Sequence, residues 1–429
     1  MNFALVLLAC CGVPAAAELR AGVAVESINP VESGIATQLG GYGAREGKPA
    51  HGTLDTIFGK ALVLEQEGRK AAVITVDTCS VPLCLLVETL EKAKVGGLSA
   101  DNTLICASHS HTGLEGFALD RRNVAGNPNI GIFSEEMLNF TTDRLAKALR
   151  AADAALQPVR AGSGAVSLPG MNRNRRGADC VDDQMTVLRL DKASDGKPLA
   201  VLVNFTAHGT FVDETDMLVS GEWAGSMQRT VEDLLGGGAV CLYANGAEGD
   251  IAPAGREGGS HYEQAYNYGR KIGIAAWRLA AEIPAAENAK LAARVKWVAL
   301  PQRRGAPDFI KIAGDEYNVT QEQLDLLLQV MFPEQAPLYA LRVGNFQMTT
   351  FPGEPICAIG TAVKEAARAA GAEHPCVASN TSEHIGYILS AGEYHKSGYE
   401  VTASFYGDGL GALLQDEATA LCRDVAGTK

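Results

Sequence analysis

Several short apolar runs in this sequence each stop at a histidine or a carboxylate, and that pattern constrains the fold most. Thr103–Ala107 runs into Ser108-His109-Ser110-His111, residues 71–76 into Asp77, and residues 199–205 into Thr206-Ala207-His208. Residues 239–244 lead to Asn245 and Asp250, and residues 346–351 to Pro352-Gly353-Glu354. Short apolar runs bounded by turn residues read as buried strands. In open α/β sheets, ligands gather outside the carboxyl ends of strands. Neutral imidazole is also the commonest protein ligand for a transition metal. A His-x-His at such an end can send one ring to a metal and keep the next beside a substrate. On its own the pair is as readily a surface or core pair.

Further runs at 21–28, 60–66, 159–168, 185–190, 291–300, 339–343 and 376–380 read as strands, with turns at Gly68, Asp195-Gly196 and Gly344-Asn345. Helical spacing marks 83–94, 133–156, 222–235, 262–281, 360–370 and 411–424. Ser134 and Glu136 are capping candidates for the second of these. Between 301 and 336 the pattern weakens to one helical piece at 321–330, an excursion over the core that shapes a substrate cleft. The fold class is α/β (mixed α+β), with mixed β-sheets flanked by helices. At 429 residues two domains would fit, but no repeat, linker or composition break divides the chain. One large catalytic domain over 18–429 is the simpler expectation.

The formal charge of −13, with no Lys/Arg cluster longer than Arg173-Asn174-Arg175-Arg176, argues against nucleic acid or an anionic membrane as partner. The loop from Gly34 to Gly52 lacks the Lys-Ser/Thr of a phosphate loop. Residues 1–17 are apolar and end in Ala15-Ala16-Ala17, the pattern of a cleaved signal peptide. Leu7-Leu8-Ala9-Cys10 also resembles a bacterial lipobox, with Cys10 lipidated, but so short a leader favours ordinary cleavage. Either way the expectation is export, periplasmic or secreted, with no transmembrane helix in the mature chain. Beyond Cys10 and Cys11 lie eight cysteines and no Cys-x-x-Cys, which disfavours a thiolate zinc cluster. An oxidising compartment permits disulfides, although Cys106 and Cys241 sit in apolar runs that suit buried thiols.

The strand ends present His109, His208, Glu354 and a tyrosine beyond Cys376 as candidate ligands. Zinc takes imidazole nitrogen and carboxylate oxygen, usually with water completing a catalytic site. Asp77, Glu222 and Asp250 are candidates to hold the imidazoles or the substrate from behind. The plain alternative makes His208 a satisfied core residue and Glu354 a turn residue between Pro352 and Pro355.

His109-Ser110-His111-Thr112-Gly113, Asn204 to Thr210, Gly249-Asp250-Ile251-Ala252-Pro253 and Pro352-Gly353-Glu354 occur in the order found in neutral ceramidases, which this chain resembles. Asn172-Arg173-Asn174-Arg175, Val219-Ser220-Gly221-Glu222 and the tail Tyr387, Glu393-Tyr394, Tyr399-Glu400 also have counterparts there. The resemblance runs over roughly 21–411 and leaves that family's immunoglobulin-like carboxyl domain without a counterpart. It implies a zinc (Zn2+) site of His109, His208, Glu354 and Tyr387, with His111 at the substrate amide, Arg175 facing the reacting groups and Tyr399 a further active-site tyrosine. It implies an exported hydrolase of a small-molecule or lipid-like N-acyl substrate, with zinc-bound water attacking an amide. One departure matters. The family's Gly-Asp-x-Ser-Pro segment carries a serine where this chain has Ala252. That disfavours a serine nucleophile and keeps alternatives open: a silent lipid- or glycan-binding scaffold, or hydrolysis of an ester or glycosidic bond.

Overall fold

The computed structural model describes residues 18–286 and 289–427, so the leader at 1–17, with Cys10, lies outside the described residues. The first sheet is built from β1 (Arg20–Ser27), β2 (Phe58–Gln66), β3 (Arg69–Val76), β4 (Thr103–Ala107), β5 (Gln157–Ser167), β6 (Gln184–Lys192), β7 (Pro198–Phe205) and β8 (Val240–Asn245). Their spatial order is β8-β7-β6-β5-β1-β2-β3-β4, parallel at the two outer pairs and antiparallel between. The second sheet orders β9 (Leu291–Ala299), β10 (Gln335–Val343), β11 (Phe346–Thr350) and β12 (His374–Ala378) consecutively, with only the last pair parallel. Between β2 and β3 the Glu67-Gly68 turn places both residues at positive φ. That turn matches the strand twist of a two-residue hairpin.

Successive side chains point to opposite faces of a sheet, and apolar residues occupy both faces of each one. Leu62 and Leu64 of β2 and Leu202 of β7 meet Leu341 of β10 and Met348 of β11 in a core between the sheets. The intervening Ala61 and Val63 face α1 (Leu83–Ala93) and α2 (Glu135–Ala154), where Ser134 caps α2 by accepting from the Met137 N–H. Val201, Val203 and Tyr243 face α3 (Glu222–Leu235) and α4 (His261–Glu282). The second sheet's outer face carries α5 (Phe309–Tyr317), α6 (Gln321–Met331), α7 (Cys357–Ala369) and α8 (Leu410–Ala426). The result is four layers, helices outside two stacked sheets, each fully buried aliphatic side chain worth roughly 1.5–3 kcal/mol. The mixed α/β class read from the sequence holds. The excursion contains an extra helix, α5, which interrupts its apolar spacing with Gly314 and Asp315 and so lacked a clear period.

Candidate active site

The parallel strands β4, β7 and β8 end at one place, and β12 of the other sheet arrives beside them. Asn245, at the end of β8, donates through Nδ2 to the carbonyls of Ala207 (2.9 Å) and Ser108 (3.4 Å) and accepts at its own carbonyl from Ser379 N. Ala107 N in turn donates to Asn380 O. The four chain ends are thereby tied in one knot, from which His109 and His208 project. A short parallel pairing sets Glu354 opposite Tyr387, adding the remaining two predicted ligands.

All four are buried, none more than 4% exposed. His109 Nε2 lies 3.0 Å from His208 Nε2, and Glu354 Oε2 lies 3.6 and 3.7 Å from the two nitrogens. The Tyr387 hydroxyl is 3.5 Å from His208 Nε2. The tautomers follow from the opposite ring nitrogens. His109 Nδ1 is 2.7 Å from Cys79 O and His208 Nδ1 is 3.2 Å from Glu248 O. A carbonyl only accepts, so both Nδ1 atoms carry the proton and both Nε2 atoms present lone pairs. Burial holds the His208 imidazole well below its ordinary range, hence neutral. Glu354 Oε2 has no hydrogen-bond partner. The two Nε2 atoms and the Glu354 oxygen are thus acceptors facing acceptors, an unfavourable arrangement that a cation reverses. The donor set of two imidazoles and a carboxylate, with a phenol beside them, fits zinc.

His111 stands next to this cluster, its Nε2 3.3 Å from His109 Nε2 and its ring edge-on to Tyr42 at 5.1 Å. Burial keeps it neutral too. A side chain at Gly41 would put its Cβ 2.4 Å from His111 Cγ, and one at Gly209 would put it 2.4 Å from His109 O, so the site needs both glycines. His109 itself adopts φ 63°, Glu222 φ 49° and Asn380 φ 43°, left-handed conformations that cost non-glycine residues on the order of 1–3 kcal/mol each.

Arg175 follows a three-residue strand, Asn172–Asn174, paired with Ile251–Pro253. Its NH2 donates to the Tyr387 hydroxyl at 2.8 Å and to Gly249 O at 2.9 Å, and its Nε lies 2.9 Å from Glu400 Oε1. Ala252 lies on the Ile251–Pro253 strand, buried opposite Arg173. Tyr399 stands edge-on to Tyr387, ring centroids 6.1 Å apart, with its hydroxyl 3.1 Å from that of Tyr317.

Of the three acidic residues expected to hold the imidazoles or the substrate, each braces a loop, and backbone carbonyls lie against the Nδ1 atoms of His109 and His208. Glu222 Oε1 accepts from Ser110 Oγ and Thr112 N, both at 3.0 Å, fixing the turn that carries the two histidines. Asp77 accepts from Phe58 N, and Asp250 accepts from Asn174 Nδ2 and Cys357 N. Sequence reasoning missed Arg45, whose buried guanidinium donates to the carbonyls of His111, Gly40, Asp213 and Asp216. It also missed Glu248, whose Oε1 accepts from Asn380 Nδ2 at 2.7 Å, although Glu248 stands in a strand-end segment.

The cluster forms one end of a cavity of about 300 Å³. Leu324, Leu327 and Leu328 of α6, with Phe309 of α5, make an apolar wall. The excursion therefore shapes the cleft, as its position in the sequence suggested. The polar side carries Tyr42, Glu115 and Glu316, and burial raises the Glu115 carboxyl to about 7.

Residues 31–264, more than half of the chain, match the profile of the amino-terminal part of neutral/alkaline non-lysosomal ceramidases. The neutral ceramidase of Pseudomonas aeruginosa is 26% identical over 277 residues, covering 58% of this chain and 40% of that protein. Neutral ceramidase A of Dictyostelium discoideum is 25% identical over 218 residues, 44% of this chain and 30% of that protein. The matched stretches thus span less than half the length of these relatives. A crystal structure of neutral ceramidase from Pseudomonas aeruginosa superposes with a TM-score of 0.78 at 22% identity, over 96% of this chain and 75% of that one. A ceramidase complexed with C2 gives 0.76 at 21%, with the same coverage. These likenesses show a shared fold.

Proposed function

The chain belongs to the neutral/alkaline non-lysosomal ceramidase family, and from that premise we propose a zinc-dependent hydrolase that cleaves the amide of an N-acyl lipid or related N-acyl compound. The observation that carries this reading is the pair of unprotonated Nε2 atoms facing each other and an unpartnered Glu354 oxygen at the end of an apolar cavity. His109, His208, Glu354 and Tyr387 are the residues that would hold zinc. When bound, the ion supplies Lewis acidity and lowers the pKa of water towards ~7.

The chain's own groups supply the rest. His111, neutral because it is buried, takes a proton at Nε2 and returns it to the leaving amine, a role worth about 10²–10⁴ in rate. Arg175 directs its guanidinium to the Tyr387 hydroxyl, where it stabilises negative charge developing on the carbonyl oxygen. Tyr399, edge-on to Tyr387, lines the approach to the reacting groups. The α6 wall excludes water and receives an acyl chain. Ala252 offers no hydroxyl, so no serine at that position acts as nucleophile.

Residues 18–429 then work as one catalytic unit, exported by the apolar leader at 1–17. Among the described residues no helix is long and apolar enough to cross a membrane. Metal analysis of the purified protein, followed by a panel of N-acyl lipids, N-acyl amino acids, acyl esters and acetylated sugars, is the test. Zinc near one per chain with hydrolysis of an N-acyl compound is the expected result; protein that never takes up zinc rejects the reading. Ala252 favours a second reading, a scaffold that binds a lipid or glycan without turnover. Retained zinc and bound ligand with no hydrolysis across the panel would establish it.

A further inference from the structure

Two cysteines outside the ligand set face each other beside it. Cys180 Sγ lies 2.7 Å from Cys357 Sγ, against about 2.05 Å for a bonded pair. They are 177 residues apart in the chain. Both thiols are free. Cys180 is half-buried and Cys357 is buried at the start of α7, three residues after Glu354.

The surroundings give the pair a mechanical meaning. Asp250 already joins the two segments: one carboxylate oxygen accepts from Cys357 N and the other from Asn174 Nδ2, both at 2.7 Å. Asn174 Nδ2 also donates to Cys180 O at 3.0 Å. Arg175 N donates to Asp250 O at 2.8 Å. The loop that carries Arg175 is therefore fastened to the start of α7 by hydrogen bonds through one aspartate. A covalent bond between the sulfurs would run parallel to that fastening.

We propose that Cys180 and Cys357 form a reversible disulfide that latches the Arg175 loop to α7. The oxidant is a low-molecular-weight disulfide such as glutathione disulfide. The Cys180 thiolate attacks one sulfur of that disulfide, breaking its S–S bond and releasing one glutathione thiolate. Cys357, on losing its proton to solvent, then attacks Cys180 Sγ and expels the second glutathione thiolate. Two protein thiols are oxidised and one glutathione disulfide is reduced to two thiols. Cys180 is the accessible partner, and the Cys357 thiol beside it lowers its pKa to about 7, which favours it as the first attacker. The latch is independent of the reaction assigned to the site.

The test uses the full-length protein, treated with glutathione disulfide or with a dithiol reductant. Peptide mass mapping of the oxidised sample is expected to show a Cys180–Cys357 link. Hydrogen exchange of residues 172–180 is expected to slow by at least about tenfold relative to the reduced sample. Cys357→Ser should trap glutathione on Cys180, whereas Cys180→Ser should carry none on Cys357. Wild-type protein that only accumulates glutathione adducts, or that forms the link without slower exchange in the loop, would overturn the proposal.

Discussion

His109 Nε2 and His208 Nε2 are 3.0 Å apart and both bear lone pairs, because each ring spends its proton on a backbone carbonyl. Two facing acceptors in a buried site are tolerated only around a positive charge. We therefore expect His109→Ala or His208→Ala to lose bound zinc, read by metal analysis. His111→Ala should keep zinc and lose about 10²–10⁴ in kcat. Equal metal loss in all three variants would contradict the separate roles.

Arg175→Ala tests charge stabilisation with little collateral damage. Glu400, its acidic neighbour, keeps Arg176, whose NH1 lies 2.6 Å from Glu400 Oε2. The expected loss is ~10²–10³ in kcat with zinc content and melting temperature near wild type. A change confined to KM would place Arg175 in ground-state binding instead.

Glu222 predicts a pH dependence of stability. Burial raises its carboxyl to about 8, well above the ordinary carboxylate range. Between the unfolded carboxyl's pKa and about 8 the folded protein retains a proton that the unfolded chain has released. Stability from this group is thus complete at acid pH and is lost as pH rises through about 8, by a few kcal/mol at most. Glu222→Gln, which preserves an oxygen acceptor for Ser110 and Thr112, should flatten the curve of urea midpoint against pH. Glu115 titrates with the same sign at about 7 and will leave a residual slope. A variant curve as steep as wild type would refute the assignment.

The α6 wall predicts chain-length selectivity. Leu327 is only partly buried and lines the cavity, so Leu327→Trp fills space without disturbing the core. KM for a long N-acyl substrate should rise roughly tenfold or more, while a short-chain analogue changes little. Parallel shifts for both would remove the acyl chain from this wall.

Much of the architecture was legible because it follows local periods. Short apolar runs bounded by turns marked the strands, and Ser134 marked the start of α2. The four ligand candidates were legible through their place at strand ends and through the order of their motifs. What holds those candidates in place was not. Cys79 and Glu248 orient the imidazoles through main-chain carbonyls, and every residue type carries one. Arg45 acts on His111 from 66 residues away, so neither period nor spacing points to it. Glu222, Asp77 and Asp250 look in the sequence like partners for histidine, yet the fold uses their carboxyl oxygens as hydrogen-bond acceptors that brace loops. Helix α5 was hidden by Gly314 and Asp315, which break the spacing that α6 keeps.

The left-handed backbone at His109, Glu222 and Asn380 has a consequence for how this molecule can change. Glycine fits such a conformation without a steric penalty, so His109→Gly relieves strain as it removes a proposed ligand. Selection for foldability alone would therefore erode the site, and only a demand for what the histidine binds keeps it there. The most robust version of this fold is an inert one.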